Sequence, residues 1–213
     1  MDGAFRARLP LAALVAALVV LAGCSAGGEV TTFEADAAEV SDDVVAETGY
    51  EYNGTEEQTI ERTFEVAGSE RNVTVINKVA TYEKAVEVPG VGSQRLAAVA
   101  VVSSPSISLA GQEFNPIAEF TARDLASQLA DRREGLTVER RVGQSGVSTL
   151  GTDATVSRFA GSQALGPTSL EVTVQVTKVK HEGDFVAVLA VHPSRLDDEA
   201  TVRRMIRGLV HPA

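Results

Sequence analysis

Two segments of the chain, Leu96–Val102 and Phe185–Val191, are apolar at almost every position. Side chains along a strand alternate between its faces, so a strand apolar in both sets has to be buried on both. Two such segments commit the chain to a sheet with cover on each side. Leu170–Thr177 carries the complementary pattern: Leu170, Val172, Val174 and Val176 alternate with Glu171, Thr173, Gln175 and Thr177. That period of two marks a strand with one apolar face.

Further strand signals lie at Thr31–Ala35, Thr59–Val66 and Val73–Tyr82, with Gly68–Arg71 expected as a turn between the last two. Helix signals are local and separate. Ser41, followed by Asp42 and Asp43 and closed by Gly49, predicts a short helix over 41–48. Asn115-Pro116 opens a second helical segment, and Thr121-Ala-Arg-Asp124 reads as a capping box. Leu125 and Leu129 share a face there, and Gly135 supplies the stop. Asp197 is the expected cap of a last helix, which buries Val202, Met205, Ile206, Leu209 and Val210 and turns Arg203, Arg204 and Arg207 outward. The expected fold is α+β: a largely antiparallel sheet of about six strands covered by helices on both faces, one domain over residues 30–213.

The amino terminus has a different character. Arg6 and Arg8 precede an unbroken apolar run, Leu11–Leu21, and then Leu21-Ala22-Gly23-Cys24. The run is shorter than the roughly 20 residues of a membrane-spanning helix, which suits a cleavable signal over residues 1–23. Cys24 is then the lipid attachment point, with residues 24–29 as a short tether; the other reading is an uncleaved anchor helix with an incidental cysteine. Two lipid chains hold firmly where one binds marginally. Both readings place the domain at a membrane, on its extracytoplasmic face.

Charge narrows the partners. The chain has 19 Lys plus Arg against 29 Asp plus Glu, and loss of residues 1–23 leaves 17 against 28, a net charge of −11. Lysine occurs only at Lys78, Lys84, Lys178 and Lys180. Such a surface stays hydrated where salt screens its self-repulsion, a halophilic composition. It argues against nucleic acid, whose phosphates need a basic patch. Membrane affinity has to come from the anchor.

The Leu-Ala-Gly-Cys24 lipobox, Thr32-Phe-Glu-Ala35, Thr48-Gly-Tyr50, Ser104-Pro105, Asn115-Pro116 and Val210-His-Pro212 together resemble an uncharacterised haloarchaeal lipoprotein family. No activity follows from that resemblance. Ala7 separates Arg6 from Arg8, where secretory signals of those organisms often have adjacent arginines, so the export route stays open. From Leu96 to Pro212 the order of strand, Asn-Pro loop, helix, long strands and closing helix is similar to the Mog1/PsbP fold. That resemblance implies α/β/α layers and an accessory, partner-binding role.

Candidate chemistry is sparse. Gly143-Gln-Ser145-Gly146 lacks the final glycine of a nucleophile elbow, because Val147 stands there, and a turn is expected instead. His181, Glu182 and Asp184 are too close in a tight turn to converge on one ion, so a solvated hairpin is expected and no metal site. His192 and His211 read as surface or packing residues. Asp197-Asp198-Glu199 lacks the spaced oxygens of a calcium loop and reads as helix capping. Tyr50 and Tyr52 could line an interface or pack in the core. Asn53-Gly-Thr55 and Asn72-Val-Thr74 are N-glycosylation sequons, expected in or beside turns.

No catalytic residue, cofactor or metal ligand is assigned. The expected function is a lipid-anchored cell-surface protein that binds or assists a membrane or envelope partner without chemistry of its own. The alternative is a small-molecule binder using a cleft between the sheet and Ala118–Ala130. A third, an enzyme built on dispersed carboxylates such as Glu61, Glu171 and Asp184, would need two of them in one cleft.

Overall fold

The computed structural model describes residues 30–66, 69–88, 90, 92–109, 111–115 and 117–212, so the apolar leader, Cys24 and Pro116 lie outside the described residues. The chain runs β1 (Thr31–Glu34), β2 (Glu39–Val40), α1 (Asp42–Thr48), β3 (Glu51–Val66), β4 (Ser69–Val88), β5 (Gly92–Pro105), β6 (Ile107–Leu109) and β7 (Gln112–Phe114). It continues α2 (Ala122–Arg132), β8 (Leu136–Thr149), β9 (Thr152–Leu165), β10 (Thr168–His181), β11 (Asp184–Pro193), α3 (Glu199–Arg207) and β12 (Leu209–Val210).

The two doubly apolar segments lie side by side at the centre: β5 pairs β11 with Val101 opposite Val188 and Val99 opposite Ala190. The sheet has eight strands in the order β1-β4-β5-β11-β10-β9-β8, and β3 pairs the outer side of β4. All these pairs are antiparallel except β1 with β4, where Phe33 lies opposite Val75. β5 pairs β4 only from Lys78 to Val88, and β1 occupies the line it leaves, beside Val73–Ile76.

Alternation divides the core as the sequence requires. Val186, Val188 and Ala190 of β11 pack with Val202, Met205 and Ile206 of α3. The intervening Ala187, Leu189 and Val191 pack with Leu125 and Ala126 of α2. Each fully buried valine or leucine contributes about 1.5–3 kcal/mol relative to exposure. α2 forms where its local code says: the Thr121 hydroxyl accepts from Asp124 N at 3.2 Å and the Asp124 carboxylate accepts from Thr121 N at 2.8 Å. The Thr121 hydroxyl also donates to that carboxylate at 2.7 Å, and this bond above all, with the one from Thr121 N, holds the Asp124 carboxyl below the usual range. Gly135 then adopts φ +76° three residues past the helix, where a side chain would meet Ala164.

Several expectations are corrected. Among the described residues the sheet has eight strands, because β8 and β9 add to those with clear apolar patterns, and β3 and β4 extend well beyond their apolar stretches. As an edge strand, β3 turns Glu57, Glu61 and Glu65 to water, so residues 51–58 show no apolar alternation. The helices among the described residues are few, of 7, 11 and 9 residues. They do not build layers over both faces, and each covers part of the sheet. Ser69–Arg71 belongs to β4 and Gly143–Gly146 to β8, neither being a turn. Val210 is exposed, because residues 209–210 leave the helix to pair with β2. Asp198, not Asp197, precedes α3, and its side chain makes no cap bond.

Candidate functional site

The short reach of α2 leaves a large concavity with apolar walls. The helix lies mainly over β8, β10 and β11. The same face continues beyond the helix across β5, β4 and β3, where Ile107 of β6 packs on Val73 and Val75, and a groove of about 770 Å³ opens between that surface and the helix. Its floor is Ala100 and Val102 of β5 with Ala187 and Leu189 of β11. Ile60, Val75 and Val79 form one wall, Leu125 and Leu129 the other, and Ile107 and Phe114 of the β6–β7 hairpin close one end. Small side chains are the cause: alanine at 100 and 187 leaves space where leucine would fill it. The volume lies within the roughly 300–1,000 Å³ of small-molecule sites.

Polar groups hold the groove open. Lys178 sends its ammonium to the carbonyls of Ile117, Ala118 and Phe120 at 2.9, 2.5 and 2.9 Å, which fixes the loop leading into α2. Burial pulls the Lys178 ammonium below its ordinary pKa. Asn115 staples the same loop to β5, donating to Ser104 O and Pro105 O at 2.9 and 2.8 Å while accepting from Ile117 N. Arginine only donates, so the Gln58 carboxamide turns its oxygen toward Arg132 and accepts from Nη1 at 2.7 Å and Nη2 at 3.1 Å. This bridge ties the end of α2 to the edge strand.

One polar atom in the groove is unmatched. Asn77, on β4, is 3% exposed, and its Oδ1 has no hydrogen-bond partner among the described residues. Leaving such an atom unpaired costs about 1–3 kcal/mol. Ser104 Oγ, Arg158 Nε, Gln175 Oε1 and Thr177 Oγ1 are also buried and unpartnered, but none lines the groove. Charged side chains stand only at the rim: Arg62 and Arg132, Glu113 and Glu119, all exposed.

The residues singled out in the sequence fall elsewhere. Asn53 and Asn72 are exposed and sit within β3 and β4, not in turns; Asn53 donates to Glu83 at 2.6 Å and Asn72 accepts from Thr63 at 2.9 Å. Tyr50 is buried and donates to Asp198 at 2.9 Å, while Tyr52 is 47% exposed and bonded to Glu39. Burial above all pushes the Tyr50 hydroxyl far up, with Asp198 adding to it. Asp198 also accepts from Lys84 at 3.1 Å, which explains why it does not cap. Ser145 receives Arg203 at 2.6 Å in the middle of a strand. Cys24 lies outside the described residues.

The hairpin expected to be solvated is partly buried. His211 Nε2 lies 3.3 Å from Asp184 Oδ2, His211 Nδ1 lies 3.0 Å from His181 Nδ1, and Asp184 also accepts from Asp36 N at 2.9 Å. Burial raises the Asp184 carboxyl, with Asp36 N and His211 opposing. This clasp joins three distant parts of the chain. No group of three or more His, Cys, Asp or Glu able to hold a metal occurs among the described residues. His192 packs inside against Gln175 at 3.2 Å.

Sequence reasoning missed Asn77 and Lys178. The available signal was a lone asparagine in the stretch Val73–Val79 and a lysine, Lys178, continuing the apolar Val172-Val174-Val176 face of β10.

Residues 37–210 match the family described as "Domain of unknown function (DUF6517)", and the chain belongs to that family. No curated protein matches the sequence. Among solved structures the chain is similar to cyanobacterial PsbP (CyanoP) from Synechocystis sp. PCC 6803, at 12% identity and a TM-score of 0.37, over 91% of this chain and 99% of that one.

Proposed function

For this DUF6517 domain, we propose a non-catalytic binding protein, tethered by lipid on Cys24 to the extracytoplasmic face of a salt-adapted cell, that takes a small apolar ligand in the groove beside α2. The observation that carries this reading is the groove itself: apolar walls, a volume suited to a small molecule, and a loop and helix end fixed in place by Lys178 and Arg132. The tether keeps the domain close to the bilayer, because residues 25–29 span about 18 Å at most when extended.

Native mass spectrometry of the protein extracted from its own membranes tests this. The expected result is a low-mass adduct that the groove-filling variant Ala100→Phe lacks; an adduct retained by that variant would break the reading. Cys24→Ser should move the folded domain to the soluble fraction. Retention at the membrane would remove the anchor from the proposal.

A protein partner is the second reading, and the free edge of β3 favours it. Among the described residues this 16-residue strand pairs on one side only, and an extended segment of a partner could add to it. Crosslinked pull-down from membranes, giving one near-stoichiometric protein and no adduct, would make this reading the better one.

A further inference from the structure

We propose that the ligand is an uncharged long-chain alcohol whose hydroxyl donates to Asn77 Oδ1, its chain lying between the alanine floor and α2. This rests on the reading of the groove as the binding site. The orphaned atom is an acceptor within an uncharged side chain, on the face of β4 that carries Val75 and Val79 and opposite the uncharged Gln58 of β3. It calls for a neutral donor. An ionic head placed there would lose its water and find no counter-charge.

The rim adds little ionic preference, because its charges are exposed: Arg62, Arg132, Glu113 and Glu119 stand in water, with Lys180 engaging Glu113 at 3.3 Å. Solvent-screened charges of this kind add little to the binding of a charged head. The apolar walls set the rest of the ligand as an alkyl or isoprenoid chain. The hydroxyl can belong to a single-chain alcohol or to a glycerol lipid with one free hydroxyl.

Displacement of the neutral dye Nile red from the full chain carrying Cys24→Ser, where no anchor or micelle competes, tests the assignment. Dodecanol should displace the dye at about three- to tenfold lower concentration than dodecyl methyl ether, the worth of one neutral hydrogen bond. Dodecanoate and dodecyltrimethylammonium should be weaker than dodecanol, and a dioctanoylglycerol arm tells a lipid source from a single chain. In Asn77→Leu the difference between alcohol and ether should vanish while the melting temperature does not fall. An asparagine kept for structure would instead lower it. A persistent difference in Asn77→Leu, or dodecanoate displacing better than dodecanol, overturns the alcohol and leaves the groove standing. Absence of dye binding, or binding that Ala100→Phe does not reduce, overturns the groove itself and this assignment with it.

Discussion

The face of the sheet that meets α2 has a closed half and an open half. Under the helix, Phe159, Val174 and Val176 are packed against Leu125 and Ala126 and are 3% exposed or less. Beside it, Ala100, Val75 and Asn77 face a groove. Both halves are built from the same kind of strand, with apolar residues at alternate positions. What differs is side-chain volume and the length of the covering helix. An 11-residue helix spans about 16 Å, less than the width of the seven strands that lie abreast at about 4.8 Å spacing, β1 and β5 sharing one line. A sheet this wide needs either a second helix or a partner to finish the face, and this molecule presents small residues there instead.

The largest effect should come from unequal packing. Phe159→Ala, in the closed half, should cost about 3–5 kcal/mol of unfolding free energy. Ala100→Leu, in the open half, should cost under about 0.5 kcal/mol, because the added carbons enter existing space. Denaturant unfolding of both variants decides it, and equal losses would show that the open half is as tightly filled as the closed one. Lys178→Met comes next. Removing three charge-assisted bonds to the loop should cost about 1.5–3 kcal/mol and also weaken dye binding in the groove. A stability loss with unchanged binding would separate the loop from the site.

The smallest effect is one of pH, at the clasp. Burial raises the Asp184 carboxyl above its ordinary value of about 3.9, so folding favours its protonated form. The stability this contributes is full below that ordinary value and is lost as pH rises through the raised one. Relative to Asp184→Asn, which cannot ionise, the parent chain should therefore lose stability as pH rises above about 4. A difference constant across that range would show that His211 and Asp36 N fully offset burial.

What could be read in the sequence was whatever is written locally. The capping box at Thr121 and Asp124 lies within four residues, and it placed the start of α2 to the residue. The alternation in Leu170–Thr177 named the face of β10 that meets the core. β3 escaped because an edge strand has water on its outer side and needs no apolar period. The groove escaped for another reason: alanine at 98, 100 and 187 reads as core, and nothing in a sequence says how far a helix two elements away will reach. The clasp was equally hidden, since its residues come from opposite ends of the chain. The carboxylate of Asp198 was misassigned to capping because Tyr50, its partner, is 148 residues distant.

That clasp also fixes an order of events. Asp184 receives Asp36 N from 148 residues away and His211 from beyond α3, and the β2–β12 pair links Glu39–Val40 to Leu209–Val210. The His211 contact and the β2–β12 pair cannot form until the last turn of α3 and the residues after it have left the ribosome. Long-range closures of this kind are slow, because chain entropy is lost before contacts reward it. The corner where β2 meets β12 is thus among the last to close, so the domain is finished only after its last helix has been released.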